Sequence, residues 1–361
     1  MLKAVKITKK IIEEQIIFVG LDVHYNQWNI SVIGNDNIFL NGMSVSPDSK
    51  KLAEFLKRKF KCEEIQLAYE AGFCGFYVAR QLQAEGINTI VINPADIPTS
   101  DKDSRYKTDK RDSLKIAVSL RAGMLECIYI PEIEDEQNQA LFRRRMDLAK
   151  KQRRVKTQIK SLLKKYGIRP ESHLDKVKLW TQKYIDWLYE VANDHKKLGI
   201  IIESMLRELD YIKGEMTKIE AELSAISQSE KYSSDYQRLK RIPGIGNITA
   251  WAILLELIDI GRFRKFSNLA SYVGLIPTEH SSGDKQHLGH MTRRAKTVLK
   301  TLLVEAAWTT IYKDETFKKY YNSLKANMSP QEAIVRCAKK LLRVIYHILS
   351  QKIEYQINRA A

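Results

Sequence analysis

Residues 16–24 read IIFVGLDVH, an apolar run that stops abruptly at Asp22. Two more apolar segments, WNISVIG and IFLNGMSV, follow after short turn signals, and the three together predict an antiparallel meander. Beyond them, EIQLAYEAG and NTIVINP have the pattern of buried strands, and helical patterns lie between and after them. This order of strands and helices predicts an α/β domain over residues 1–130.

Acidic residues mark the ends of two of these strands. Asp22 closes the first and Glu70 closes EIQLAYE, and ligands of open α/β sheets bind outside the carboxyl ends of strands. Asp109 and Asp112 are three residues apart in TDKRDSLKIAVSLRAG, which predicts that they share one face of a helix. If that helix crosses the strand ends, the four carboxylates converge. Hard cations, Mg²⁺ or Mn²⁺, would then neutralise them and support phosphoryl chemistry.

Each of these acids also has a structural explanation when it is taken alone. Asp22 and Glu70 are suited to end a strand at a turn, and Asp109 and Asp112 are suited to the first turn of a helix, which favours negative charge. A strand-end Asp, a strand-end Glu and a D-x-x-D helix within one domain together favour the metal site.

The charge of the chain indicates a polyanionic partner. Its 361 residues include 60 Lys and Arg against 43 Asp and Glu, a formal net charge of +17, which favours nucleic acid over a membrane. The apolar run at residues 16–21 is too short to span a bilayer, and the charged opening does not show the apolar h-region expected of a signal peptide. The four cysteines show no C-x-x-C spacing and read as reduced thiols. We expect a soluble cytoplasmic protein.

The middle of the chain, residues 131–235, predicts a basic helical coiled coil. Leu148, Val155 and Leu162 recur at heptad spacing, and a later segment repeats apolar residues at steps of four and three over four heptads. These two helices could pair with each other or with a second chain. The apolar positions of the later segment are Leu198, Ile202, Met205, Leu209, Ile212, Met216, Ile219, Leu223 and Ile226.

The first of these helices carries a long basic run. Residues 143–169 include twelve Lys or Arg and a single acid, Asp147. Most charge runs are solvated helix faces, but such a face usually carries acids that pair with its bases along the helix. We therefore favour salt-dependent contact with a nucleic-acid backbone. The candidate residues are Arg143, Arg144, Arg145, Lys150, Lys151, Arg153 and Arg154.

Residues 236–361 predict an all-α third region that opens with a glycine-rich turn. The segment RLKRIPGIGNITAWAILLEL places Gly244 and Gly246 between apolar stretches, with a helix from about Asn247. It resembles a helix-hairpin-helix motif, in which backbone N–H groups at a helix N-terminus bind a DNA phosphate. A tight turn between packed helices is the alternative explanation for the two glycines.

A second polar stretch, PTEHSSGDKQHLGHMTRRA, occupies residues 277–295. Ser-Ser-Gly by itself predicts a turn, because the hydroxyls bond nearby backbone and Gly accepts a positive φ. The basic residues that follow, Arg293 and Arg294, suit contact with a DNA backbone or an ordinary amphipathic helix with solvated arginines.

Two separate motif sets resemble one family. The segments GLDVH, YEAG, VINP and KTDKRDSLKIA resemble the RuvC-like (RNase H-like) DEDD domain of an insertion-sequence transposase family. That family includes bridge-RNA-guided recombinases and Piv-type DNA invertases. The stretch from IPGIGNITAW to TLLVEAAW resembles the transposase domain of the same family, so the resemblance covers nearly the whole chain.

The resemblance implies a mechanism, partners and an assembly. In it, the acidic cluster binds Mg²⁺ and positions a phosphate of double-stranded DNA, and the serine directly before Gly, Ser282, attacks that phosphate. Strands are exchanged through a phosphoserine without net hydrolysis, and Ser281 is the neighbour that a one-residue misalignment would substitute. The resemblance also implies a structured guide RNA, a prokaryotic source, and a dimer or tetramer with composite sites.

Two other functions use the same residues differently. An RNA-independent invertase, or a junction-resolving endonuclease that hydrolyses with water, would use the same acids, and the endonuclease would leave Ser282 dispensable. A nucleic-acid-binding scaffold without catalysis would need neither Asp109 nor Asp112.

Overall fold

Contacts along the chain define two compact units, Met1–Glu132 and Ile133–Ala361. The three-part division with boundaries after residues 130 and 235 stays a prediction. The computed structural model describes residues 3–4, 12–97, 109–170, 179–282, 285–291 and 297–357. Within these ranges, no helix is long and apolar enough to cross a bilayer.

The first unit is built on a mixed sheet. Its strands are β1 Lys3–Ala4, β2 Ile12–Glu13, β3 Ile16–Val23, β4 Trp28–Ile33, β5 Asn37–Val45, β6 Phe60–Lys61, β7 Glu64–Glu70 and β8 Asn88–Ile92. Six of them form one sheet in the order β1-β5-β4-β3-β7-β8, and β2 pairs with β6 separately. The β3-β4-β5 pairings are antiparallel and the β3-β7-β8 pairings are parallel. The predicted meander is confirmed.

Helices cover both faces of this sheet. They are α1 Ser49–Lys59, α2 Tyr77–Ala84 and α3 Asp109–Arg121. Side chains alternate between the faces of a strand. Tyr69 belongs to the core that α1 and α2 complete, whereas Ala68 packs with Ile116 of α3. Burial on both faces explains why the central strands read as nearly continuous apolar runs.

The second unit is helical with one exception. Its helices are α4 Ile133–Lys165, α5 Gln182–Asp194, α6 Lys196–Gln228, α7 Ser233–Lys240, α8 Asn247–Leu257, α9 Phe266–Val273, α10 Thr297–Lys313, α11 Glu315–Lys325 and α12 Pro330–Gln351. Pro277–Ser282 (β9) and Lys285–Met291 (β10) form an antiparallel hairpin. The all-α expectation was therefore wrong at this hairpin. Its polar residues give little strand signal, and the pairing of the two strands supplies the backbone hydrogen bonds instead.

The two helices with heptad patterns pack against each other within the chain. Leu148 and Val155 of α4 share one apolar core with Ile202 and Leu209 of α6, and α5 adds Leu188 to it. The sequence left open whether these helices pair with each other or with a second chain. At these positions they pair with each other, because the residues are buried inside a single unit. Coiled-coil geometry as such stays a prediction.

Helix α8 is the centre of a second core. Its residues from Thr249 to Leu257 are all buried, so no polar face remains, as is typical of a helix enclosed by others. It packs in one cluster with residues of α10 and α12, including Leu303 and Leu341. The buried stretch includes one acid, Glu256, with only 4% of its surface exposed.

Candidate active site and nucleic-acid interface

Asp22 and Glu70 lie side by side at the carboxyl ends of two adjacent inner strands, β3 and β7. The last residue pair in the β3-β7 register is Leu21 with Tyr69, and the two acids are the next residues of these parallel strands. Neighbouring strands lie about 4.8 Å apart, and alternation places both carboxylates on the face opposite Leu21 and Tyr69. That is the face on which Gly20 and Ala68 meet α3.

Gly20 allows α3 to lie directly on the strand. A Cβ at Gly20 would be 1.9 Å from the carbonyl oxygen of Ser113 and 2.5 Å from the backbone nitrogen of Ala117, so no other residue fits. The hydroxyls of Ser113 and Ser31 are 2.8 Å apart, and Ser31 is the cross-strand partner of Gly20. These contacts hold α3 against β3 at Gly20, which is two residues before Asp22 in the strand. Sequence reasoning missed all three residues, although a glycine inside a buried strand signals close backbone approach.

The direction of α3 brings its acidic first turn to the strand ends. Its last residue, Arg121, donates to the carbonyl of Asn35, which follows β4 at the opposite end of β3 from Asp22. The helix therefore begins near the strand ends, with Asp109 as its first residue and Asp112, half-buried, directly before Ser113. The structure thus brings the predicted Asp22, Glu70 and Asp112 to one end of the sheet, while the side chain of Asp109 lies outside the described residues.

His24 contacts the first carboxylate. Its Nε2 is 3.1 Å from Oδ2 of Asp22, whose side chain is 22% exposed against 51% for His24. The imidazole is thus the more exposed member of the pair.

The donor chemistry at this end of the sheet fits a hard cation. Carboxylate oxygens from two adjacent strands and a helix are the ligands that Mg²⁺ and Mn²⁺ prefer, whereas zinc favours nitrogen and sulfur. Among the side chains that the structure describes, no three or more His, Cys, Asp or Glu are close enough together to hold a metal ion. Metal binding therefore stays a prediction.

Two of the predicted nucleic-acid contacts on α4 hold other helices. Arg143 donates from Nε and Nη2 to the two carboxylate oxygens of Glu256 on α8, both at 2.8 Å. The hydrogen bonds that the guanidinium donates to Glu256 raise the pKa of Arg143. Arg145 donates to Glu220 of α6 at 2.8 and 2.6 Å, and its side chain is only 10% exposed. Both guanidiniums serve helix packing.

The other five predicted contacts on α4 face solvent. Arg144 and Lys151 pair with Asp147 at 3.0 and 3.2 Å, and all three side chains are about half exposed. We use the term exposed basic face for Arg144, Lys150, Lys151, Arg153 and Arg154. These residues form the part of α4 that is open to a nucleic-acid backbone.

The two glycines of the Pro-Gly-Ile-Gly turn differ in role. Gly244 has a φ of +94°, and a Cβ there would be 2.4 Å from the carbonyl oxygen of Ala306 on α10. Thr310 on the same helix donates to the carbonyl of Pro243 at 2.7 Å, so this half of the turn is explained by packing. At Gly246, which caps α8 without a side-chain hydrogen bond, a Cβ would meet nothing within 4 Å. Phosphate binding by a helix-hairpin-helix stays a prediction, carried by the Gly246 side.

Ser282 is the last residue of β9. It pairs in register with Lys285, and Ser281 pairs with Gln286. The side chains of both serines lie outside the described residues, as do Arg293 and Arg294 entirely. The backbone therefore places Ser282 at the end of a paired strand, and its chemistry stays a prediction.

Comparisons with known proteins identify the family. A family model of the IS110 type with a DEDD domain, described as "Transposase", matches residues 19–168. A second, described as "Transposase IS116/IS110/IS902 family", matches residues 236–322. The first match contains the strand-end acids and α3, and the second contains the glycine turn and the Ser282 hairpin.

Similar proteins carry the same description. The chain is 29% identical to a putative transposase, y4qE, of Sinorhizobium fredii, over 81% of this chain and 70% of the relative. It is 26% identical to the transposase for insertion sequence element IS1111A of Coxiella burnetii, over 77% and 75%. For the transposase of IS1533 from Leptospira borgpetersenii the identity is 27%, over 81% and 84%. The chain belongs to the IS110/IS116/IS902 family of transposases, enzymes that cut and recombine DNA.

Proposed function

We propose that this protein excises and inserts an insertion sequence by exchanging DNA strands through a phosphoserine at Ser282, under the guidance of a structured RNA. The observation that carries the proposal is the placement of Asp22 and Glu70 on adjacent parallel strands with the start of α3 at the same end. Membership of a transposase family supports DNA as the substrate. The guide RNA rests on the resemblance to bridge-RNA-guided recombinases.

The four acids hold and orient the reacting phosphate in this proposal. Asp22, Glu70, Asp109 and Asp112 would bind Mg²⁺, or Mn²⁺, which supplies positive charge to the phosphate oxygens and polarises the attacking oxygen. The close contact at Gly20 keeps α3, and with it Asp112, in place on the strand. Preorganised ligands of this kind act without reorganisation during the reaction.

Ser282 is the proposed nucleophile. Its hydroxyl attacks phosphorus after losing its proton to a base, and the DNA oxygen leaves with the electron pair of the broken ester bond. A second DNA hydroxyl then attacks the phosphoserine, which restores the serine and rejoins the strands. This sequence requires that Ser282 and the acids act on the same phosphate, within one chain or between chains.

Further elements bind the nucleic acid and join copies of the chain. The exposed basic face of α4, the Gly246 side of the glycine turn, and Arg293 and Arg294 contact the DNA backbone in this proposal. The helices α4 and α6, whose heptad residues pack within the chain, form the coiled coil whose outer faces join a homodimer or tetramer in this proposal. Ile200 and Tyr211 on α6, each 66% exposed, are open to that contact.

The first test is a covalent adduct on the element's own flanking DNA. The full chain, purified with its co-purifying nucleic acid, is incubated with the DNA and Mg²⁺, then denatured, and protein-linked DNA is measured. Ser282→Ala is expected to abolish the adduct, and Ser281→Ala, the matched control, to retain it. Asp22→Asn is expected to lower strand exchange by about 100-fold or more, since it removes one of the charged ligands that would hold Mg²⁺ at the reacting phosphate.

Each component has an outcome that contradicts it. Strand exchange by Ser282→Ala would refute the phosphoserine, and strand cuts without an adduct would indicate a junction-resolving endonuclease. Two experiments test whether a guide RNA is required. The co-purifying nucleic acid is sequenced, and the reaction is repeated after ribonuclease treatment. Unchanged activity after ribonuclease would indicate an RNA-independent invertase.

A further inference from the structure

Two exposed aromatic rings lie just beyond the strand ends that carry Asp22 and Glu70. Tyr25 follows Asp22 by three residues, in the turn between β3 and β4, and Phe73 follows Glu70 by three residues, in the turn before α2. Tyr25 is 82% exposed, Phe73 is 68% exposed, and their ring centroids are 6.4 Å apart. Because β3 and β7 are adjacent and parallel, both turns follow the strand ends that carry the acids and lie at the same end of the sheet.

The fold gains little from these rings. Apolar surface stabilises a protein when it is removed from water, and most of this surface is not. The rings are tilted by 52° and do not stack on each other, so each has a face available to a third group. We propose that Tyr25 and Phe73 bind an unpaired nucleobase of the DNA strand whose phosphate enters the acidic site. This inference rests on the function proposed above.

Charge favours a nucleobase as the occupant. Asp22 and Glu70 repel phosphate and acidic side chains until a cation neutralises them, so a nearby anchor for DNA is best provided by uncharged groups. Base–aromatic stacking supplies such an anchor and tolerates any sequence, because every base has a π-face. In a duplex, neighbouring base pairs cover both faces of a base, so a base that stacks on a protein ring is unpaired or flipped out.

The spacing limits which base is bound. Three residues of extended chain reach at most about 10 Å, so the Cα atoms of Tyr25 and Phe73 each lie within that distance of the Cα of the acid before them. At a rise of about 3.4 Å per nucleotide, this reach covers about three nucleotides. The bound base therefore belongs to the segment next to the phosphate that is cut, and the DNA is opened locally at that point.

Binding of single-stranded and blunt duplex DNA of the same mixed sequence and length tests the inference. The full chain is titrated with each dye-labelled DNA in the presence of Mg²⁺, and fluorescence anisotropy gives the affinity. The double variant Tyr25→Ala/Phe73→Ala is expected to bind single-stranded DNA about 5- to 100-fold more weakly, the usual loss when stacking rings are truncated. Its duplex affinity is expected to stay within about twofold, since backbone contacts dominate there.

Two control variants separate stacking from general damage. Tyr25→Phe/Phe73→Tyr keeps both rings and is expected to bind as the wild type does. Tyr312→Ala removes an equally exposed ring, 82%, from α10 and is expected to leave single-strand affinity unchanged. Thermal melting checks that the double variant folds, as expected for exposed side chains.

Three results would overturn the inference. They are an unchanged single-strand affinity in the double variant, a greater loss for RNA than for DNA of the same sequence, and a changed oligomeric state without any change in DNA binding. The adduct assay with Ser282→Ala stays independent of these readouts. If the wild type forms the adduct but the double variant binds single-stranded DNA normally, only the aromatic site is refuted. If the wild type forms no adduct but the double variant binds single-stranded DNA more weakly, only the phosphoserine function is refuted.

Discussion

Helix α4 carries two sets of basic residues that look alike in the sequence and differ in the structure. Arg143 and Arg145 bind acids of neighbouring helices, and the Glu256 side chain that Arg143 holds is only 5% exposed. Between and beyond these two arginines, the exposed basic face points to solvent. The planar fork of an arginine suits a carboxylate inside the fold, and an exposed charge suits a mobile counterion or a phosphate. A basic run therefore has to be divided by partner before it is assigned to nucleic acid.

The largest expected effect comes from breaking the interior pair. Arg143→Ala removes the guanidinium that pairs with the buried carboxylate of Glu256, which is expected to lower the free energy of unfolding by about 3 kcal/mol, at the low end for buried pairs because Arg143 is half exposed. Urea unfolding of the full chain measures it. Arg144→Ala is the matched control, since its side chain is 47% exposed against 49% for Arg143. A loss of about 0.5 kcal/mol or less is expected there.

Equal losses for Arg143→Ala and Arg144→Ala would contradict the division of the helix. The pair would then stabilise no more than a surface ion pair does.

A smaller effect is expected from the solvent-facing half. Changing Lys150, Lys151, Arg153 and Arg154 together to Ala is expected to weaken DNA binding by about 10- to 100-fold in dilute salt. The slope of log affinity against log salt is expected to fall by about 3 to 4, since each phosphate that the protein neutralises adds about 0.9 to it. Binding isotherms at several salt concentrations measure both. An unchanged slope would show that this face is only solvated.

The smallest effect concerns the single acid of the run. The hydrogen bond from Lys151, and then the charge of Arg144, hold the pKa of Asp147 below its usual value. A lowered pKa favours the charged carboxylate, so its contribution is present above the ordinary aspartate pKa and is lost as the pH falls through the lowered one. Lys151→Ala is expected to raise the Asp147 pKa toward the ordinary value, which NMR titration measures. No rise would place the cause elsewhere.

The strand-end acids were predictable because local patterns define them. Asp22 and Glu70 each end an apolar run, and the order of runs predicts adjacent strands without any knowledge of packing. The same local logic found α3 and the heptad residues of α6. These elements follow from periodicity, which a sequence shows directly.

Partners that are distant in the sequence were not predictable. Glu256 is 113 residues from Arg143 and Glu220 is 75 residues from Arg145, so the run showed bases without acids. The β9-β10 hairpin was missed because its residues lack strand propensity, and pairing alone defines it. The exposure of Tyr25 and Phe73 is likewise a tertiary property.

Gly20 couples the architecture of the first unit to its chemistry. Because a hydrogen atom is the only substituent that the overlying backbone of Ser113 admits, nineteen of the twenty coded residues displace the helix that carries Asp112. In a saturation screen scored by transposition, position 20 would rank with the acids although it offers the substrate no functional group. Sequence design that varies this domain therefore has to keep Gly20 fixed together with the carboxylates.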